Sequence, residues 1–169
     1  MTDFTALGIS KPLIQGLKEL GIHKPSEIQE QAIPILLQED TDFVGQAQTG
    51  TGKTAAFGLP MLEKVNPKKA EVQGLILAPT RELCQQIAKQ LFKFTKFSEK
   101  TFVEAVYGGA NMDVQIQRLK RPTHIIVATP GRLIDLINKK VVDLTRVKKV
   151  ELEEGDEMLS MGFKQDKHA

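Results

Sequence analysis

Chemistry in this chain is concentrated in a few short segments, the first being AQTGTGKT at residues 47–54. Gly50 and Gly52 can take backbone angles closed to other residues, so the N–H groups of Thr49, Gly50, Thr51 and Gly52 can converge on one anion. A helix starting here adds partial positive charge. Lys53 supplies a point charge for terminal phosphates, and the Thr54 hydroxyl can ligate Mg2+. The strict phosphate-loop pattern has glycine where Ala47 stands, but the GKT ending is present. A phosphate loop needs an acidic partner for its metal. LEEGD at residues 152–156 offers Glu153 and Glu154. One carboxylate can hold Mg2+ through water while the next positions or deprotonates an attacking water. Alone, this cluster reads equally as a solvated acidic turn.

Two further segments, PTREL (79–83) and TPGRL (129–133), combine a hydroxyl with an arginine at a helix start. Thr80 with Arg81, and Thr129 with Arg132, suit the phosphates of an extended nucleic-acid strand and carry no information about base identity. Taken singly, each reads first as a helix cap with an arginine paired to a nearby carboxylate. Aromatic residues make up only 5%, with no Trp, so contact to bases by stacking is not expected.

The remaining composition bounds the problem. The 169 residues fit one domain, at 41% hydrophobic, 26% charged and a net charge of +2. Nucleic-acid binding would therefore come from local basic placement rather than a global field. Cys84 is the single cysteine and reads as a small buried hydrophobe. His23, His124 and His168 lack metal-ligand spacing and read as surface or edge residues. No signal peptide or membrane span is visible, which makes a cytoplasmic setting the default expectation.

The elements that must position these groups alternate. Helices are expected at 11–20 and 26–38, the second capped by Ser26, kinked at Pro34, and buried along Ile28, Ala32, Ile35 and Leu36; taken singly, Gln29 reads first as a solvated helix residue. A helix follows Lys53. VQGLILAP (72–79) and THIIVAT (123–129) read as buried parallel strands, and TFVEAVYGG (101–109) as a strand ending in Gly108–Gly109. Leu83, Ile87, Leu91 and Phe94 line one helix face. Thr129 caps a helix with Pro130 in its first turn, followed by Gly131. Residues 147–163 give a strand, the acidic cluster and a short helix. Such alternation predicts a three-layer, right-handed parallel α/β sheet. Its ligands would sit at the carboxyl ends of the strands, where all of these segments fall.

These residues together resemble the first RecA-like domain of the DEAD-box ATP-dependent RNA helicases, over nearly the whole chain. Phe4 and GIHKPSEIQ (21–29) resemble that family's adenine-recognising segment, which implies that Gln29 reads the adenine edge and Phe4 stacks near it. AQTGTGKT is a common form of the family's phosphate loop. PTREL, the Gly108–Gly109 pair and TPGR match segments that hold the RNA backbone, implying contacts from Pro79, Thr80, Arg81, Gly108, Gly109, Thr129, Pro130, Gly131 and Arg132. DEMLSMGF (156–163) matches the run after the acidic box. The resemblance implies ATP and Mg2+ as cofactors, with Lys53 and Thr54 on phosphate and metal, Glu153 on metal, and Glu154 as the base.

Two departures bear on activity. Glu153 and Gly155 replace an Asp and an Ala of the family pattern, and Glu151 puts a charge in a strand. The extra methylene moves the metal-holding carboxylate by roughly 1 Å, enough to slow turnover on the order of a hundredfold. Residues 150–156 are therefore expected to be solvent-accessible or displaced. The sequence also stops at Ala169, before the family's Ser-Ala-Thr segment and second RecA-like domain. The expectation is an RNA helicase fragment, incomplete at its C-terminal end, with weak nucleotide binding and little or no unwinding by itself. Two rivals are a non-catalytic RNA- or protein-binding module and a small-molecule P-loop kinase. The second leaves the RNA-type segments without a job.

Overall fold

The computed structural model describes residues 3–38, 51–145, 147 and 149–152. Six helices and four strands occur among them: α1 Lys11–Glu19, α2 Glu27–Gln38, α3 Thr51–Lys64, β1 Gly74–Leu77, α4 Arg81–Phe94, β2 Val103–Val106, α5 Met112–Leu119, β3 Ile125–Ala128, α6 Pro130–Asn138 and β4 Lys149–Leu152. The strands lie in the order β2-β3-β1-β4 and all pair in parallel.

Alternation along the strands builds the three expected layers. Ile76, Ala78, Ile125 and Val127 join a cluster with residues of α1 to α4. Leu75, Leu77, Ile126 and Ala128 point the other way, onto Leu133 and Leu136 of α6 and Met112, Ile116 and Leu119 of α5. Both faces of β1 and β3 are thus covered, which is why their sequences are unbroken apolar runs. The α4 stripe of Leu83, Ile87, Leu91 and Phe94 is buried as its spacing predicts.

The α2 stripe differs from expectation. Its buried residues are Gln29, Ile33 and Leu36, while Ile35 is 54% exposed and Ile28 is also exposed. The helix is turned by about one residue because Gln29 has polar partners inside. Ser26 caps it: its Oγ accepts from Gln29 N at 3.4 Å and its own N–H donates to Gln29 Oε1 at 3.0 Å, a reciprocal capping box. The helix continues across Pro34 to Gln38.

His124 also corrects the sequence reading, being buried at 1% exposure. Nδ1 accepts from Phe102 N at 2.9 Å, so the ring proton belongs on Nε2, which lies 3.1 Å from Pro67 O. The imidazole thereby joins the start of β2 to the loop before β1.

Cys84 is buried and its thiol is pushed up to about 12 by desolvation. Thiolate is the reactive form, so the folded protein should resist alkylation at pH 8 and be labelled promptly in denaturant. Prompt labelling of the native protein would contradict this burial.

Burial raises the Glu104 carboxyl, with Arg118 and Arg121 pulling the other way. A raised folded value means that the folded state holds the proton to higher pH than the unfolded chain. The associated stability is full below the unfolded glutamate range, near pH 4, and lost as pH rises through the folded value. Glu104→Gln should therefore raise Tm slightly at pH 7, with the gain shrinking as pH falls toward 4. A loss of Tm at pH 7 would show that the two arginines outweigh desolvation.

Candidate nucleotide and nucleic-acid site

Because β1, β2 and β3 are parallel, the turns leaving them share one rim of the sheet. Residues 79–81, 107–110 and 129–132 all lie on it. β4 ends at Leu152 in register with Leu77 of β1, hence on the same rim. The direction of α3 follows from packing: a Cβ on Gly74, at the start of β1, would meet Met61 late in α3. At 1.5 Å per residue, Met61 lies about 15 Å along the helix from Thr51. The helix runs antiparallel to the strands, and its first turn, with Gly52, Lys53 and Thr54, faces the rim.

Gln29 sits beside that first turn. It is 3% exposed, and its Nε2 donates to Gly52 O at 3.0 Å. With Oε1 accepting from Ser26 N, the amide is fixed in one orientation, and among the described residues each of its heteroatoms has one hydrogen-bond partner. An open cleft of about 510 Å3, lined by residues 21–24, Ser26, Gln29 and Gly52, opens onto it. Phe4, paired with Gln29 in the sequence reading, is 2% exposed in the main core and does not line this cleft. Thr54 is buried and Lys53 half-buried in the first turn of α3. Thr51 starts that helix. Thr49 and Gly50, and the acidic pair Glu153 and Glu154, lie outside the described residues, as do Gly155 and Asp156. Among the described residues no group of three His, Cys, Asp or Glu could hold a metal ion, and no helix is long and apolar enough to cross a membrane.

The nucleic-acid segments are built from caps and one arginine fork. Thr80 caps α4, its Oγ1 accepting from Leu83 N at 3.1 Å. Pro79, Thr80 and Arg81 are exposed, and the Arg81 guanidinium lies over the Tyr107 ring, 5.8 Å from its centroid. Gln85 Nε2 holds the Tyr107 hydroxyl at 2.9 Å. Gly109 has φ +84, and among the described residues nothing beyond the adjoining backbone lies within 4 Å of a Cβ added at Gly108, Gly109 or Gly131. The surface there is open to an approaching polymer.

Two expectations about Thr129 and Arg132 change on contact with the structure. Thr129 occupies the cap position of α6 but makes no side-chain cap; its Oγ1 accepts from Gly108 N at 3.2 Å. Pro130 is buried at the start of α6. Arg132 is half-buried and donates from Nη1 to Gln115 Oε1 at 2.9 Å and from Nη2 to Ala110 O at 3.1 Å. Neither acceptor is a carboxylate. Gln115, 3% exposed on α5, also donates from Nε2 to Tyr107 O at 3.2 Å. Sequence reasoning passed over Gln115, whose one signal is a polar residue between Val114 and Ile116 in an amphipathic helix.

Comparison with known proteins fits this geometry. The family model described as DEAD/DEAH box helicase matches residues 26–169. "DEAD-box ATP-dependent RNA helicase CshA" of Bacillus cereus is 49% identical over 166 residues, covering 98% of this chain and 31% of that protein. The protein of the same description from Geobacillus kaustophilus is 47% identical, with 98% and 35% covered. The chain thus spans about a third of the length of these relatives. Among solved structures, a DEAD box protein from the hyperthermophile Methanococcus jannaschii superposes with TM-score 0.86 at 37% identity, covering 98% of this chain and 45% of that one. S. cerevisiae Dbp5, solved bound to RNA and ADP BeF3, gives TM-score 0.82 at 35% identity, with 99% and 42% covered.

Proposed function

The chain belongs to the DEAD/DEAH box helicase family, and from that premise we propose that it is the ATP- and RNA-binding part of an ATP-dependent RNA helicase core. The observation that carries the reading is the shared rim. The first turn of α3, with Gln29 against it, and the turns after three neighbouring parallel strands face one side. The relatives' printed description as ATP-dependent RNA helicases and the RNA and ADP BeF3 bound to Dbp5 support the same assignment.

The chain's own residues suit the nucleotide. The remaining acceptor and donor positions of the Gln29 amide complement the donor–acceptor edge of adenine and mismatch the paired acceptors of guanine's O6 and N7. Residues 49–54 would cradle phosphates, with Lys53 countering their charge. Thr54 and Glu153 would hold Mg2+, which when bound neutralises charge on phosphate oxygens. Glu154 would orient and deprotonate the attacking water. Thr80, Arg81, Gly108, Gly109, Thr129 and Gly131 would follow an RNA backbone without reading bases. Unwinding would need a second RecA-like domain, and the setting proposed is the cytoplasm. Glu153 and Gly155 lower the expected turnover and leave a second reading, an RNA-binding module without turnover.

Calorimetric titration with ATP, ADP and GTP, with and without Mg2+, tests the nucleotide half of the reading. The expected result is adenine-selective, Mg2+-dependent binding. Equal binding of GTP would remove the Gln29 assignment, and no nucleotide binding would favour the module.

A further inference from the structure

Gly108 and Gly109 form the most permissive backbone pair on the rim, yet a binding turn must hold one shape. Glycine loses more freedom on ordering than any other residue, so something must fix this pair before a ligand arrives. The structure fixes it from both sides. Thr129 Oγ1 takes the Gly108 N–H, Gln115 takes the Tyr107 carbonyl, and Arg132 takes the Ala110 carbonyl. Gln115 links the last two, accepting from Arg132 with Oε1 while donating from Nε2. Only one orientation of its amide satisfies both partners, since a carbonyl needs a donor and a guanidinium needs an acceptor.

We infer that Gln115 is a positioning residue that, through Arg132, clamps the Gly108–Gly109 turn to the start of α6, so that two RNA-gripping segments act as one rigid unit. This rests on the RNA reading above. It gives Arg132 a different job from Arg81. The Arg132 fork is spent on the protein, whereas Arg81 is exposed over the Tyr107 ring at the rim. Arg132 therefore orders the turn and is not itself a phosphate contact.

Salt dependence separates the two jobs, because each phosphate contact to a single strand adds about 0.7 to the slope of log affinity against log salt. Fluorescence anisotropy of a labelled ten-nucleotide oligouridylate, titrated with the chain at several KCl concentrations, reads both quantities. Gln115→Met should weaken binding about five- to thirtyfold, the factor for ordering one residue's backbone at the moment of binding. The slope should not change. Arg132→Met should behave alike, and the double variant should be no worse than either single one. Arg81→Gln should instead lower the slope by about 0.7. Gln115→Glu keeps an acceptor for Arg132 but loses the donor to Tyr107, and should fall between. ATP affinity should stay unchanged in Gln115→Met, which a general loss of folding would not allow. Unaltered RNA binding by Gln115→Met, or a shallower slope for Arg132→Met, would overturn the inference while leaving the RNA reading intact. An unsubstituted chain that binds no RNA at low salt would remove both.

Discussion

Lys53→Ala should lower the affinity of the chain for ATP by on the order of ten- to hundredfold. Hydrogen bonds to charged groups contribute about 1.5–3 kcal/mol, and on the proposed reading truncation would leave phosphate charge without its counter-ion. Lys53 lies in the first turn of α3, where the backbone N–H groups of a helix start and the helix dipole also favour an anion. Those backbone donors survive the substitution, which is why binding should weaken rather than vanish. The loss should shrink for adenosine, which carries no phosphate. Calorimetry on both ligands checks this; an equal loss for adenosine would mean that the substitution had damaged the fold and not the phosphate site.

Gly16→Ala should destabilise the fold by about 3 kcal/mol or more, at the upper end of the overpacking range. Gly16 lies on the buried face of α1, between Leu13 and Leu17. A Cβ built there collides with the carbonyl oxygen of Phe94 and lies 3.1 Å from its carbonyl carbon. That carbonyl is backbone at the end of α4 and cannot rotate away. Relief requires α1 to lift off α4, which would expose Leu13 and Leu17. Gly58→Ala is the control: its Cβ would meet Leu91 Cδ2 at 2.6 Å, the end of a side chain that can change rotamer. Added helix propensity of about 1 kcal/mol offsets part of the cost equally at both positions. Urea denaturation should give a clearly larger loss for Gly16→Ala; equal losses would show that α1 yields as easily as a leucine tip.

What could be read from sequence followed from periodicity. Leu83, Ile87, Leu91 and Phe94 announce their helix face, and GLIL and IIVA announce strands covered on both sides. The α2 stripe was misread because one of its buried positions is Gln29, and an amide inside an apolar stripe hides the stripe's phase. His124 looked like an edge residue because its partners, Phe102 and Pro67, are distant in sequence. The same limit applies to the rim. Thr129 and Arg132 were legible as a hydroxyl and a cation at a helix start, but their commitment to Gly108, Gln115 and Ala110 depends on β2 and β3 being neighbours. Gln115 gives no local sign of its bonds to Tyr107 and Arg132 beyond being a polar residue between Val114 and Ile116. Of the segment 150–156, expected to be displaced or solvent-accessible, Val150, Glu151 and Leu152 pair in parallel register with Leu75, Ile76 and Leu77 of β1, while Glu153 onward lies outside the described residues.

The central claim is that one rim of the parallel sheet meets the RNA. Photo-crosslinking of the chain to a 4-thiouridine-substituted single strand, with the linked peptides mapped by mass spectrometry, addresses it most directly. The account predicts links within residues 79–85, 107–111 and 129–132. Links concentrated instead at the opposite ends of the strands, around residues 96–102 and 119–124, would contradict it.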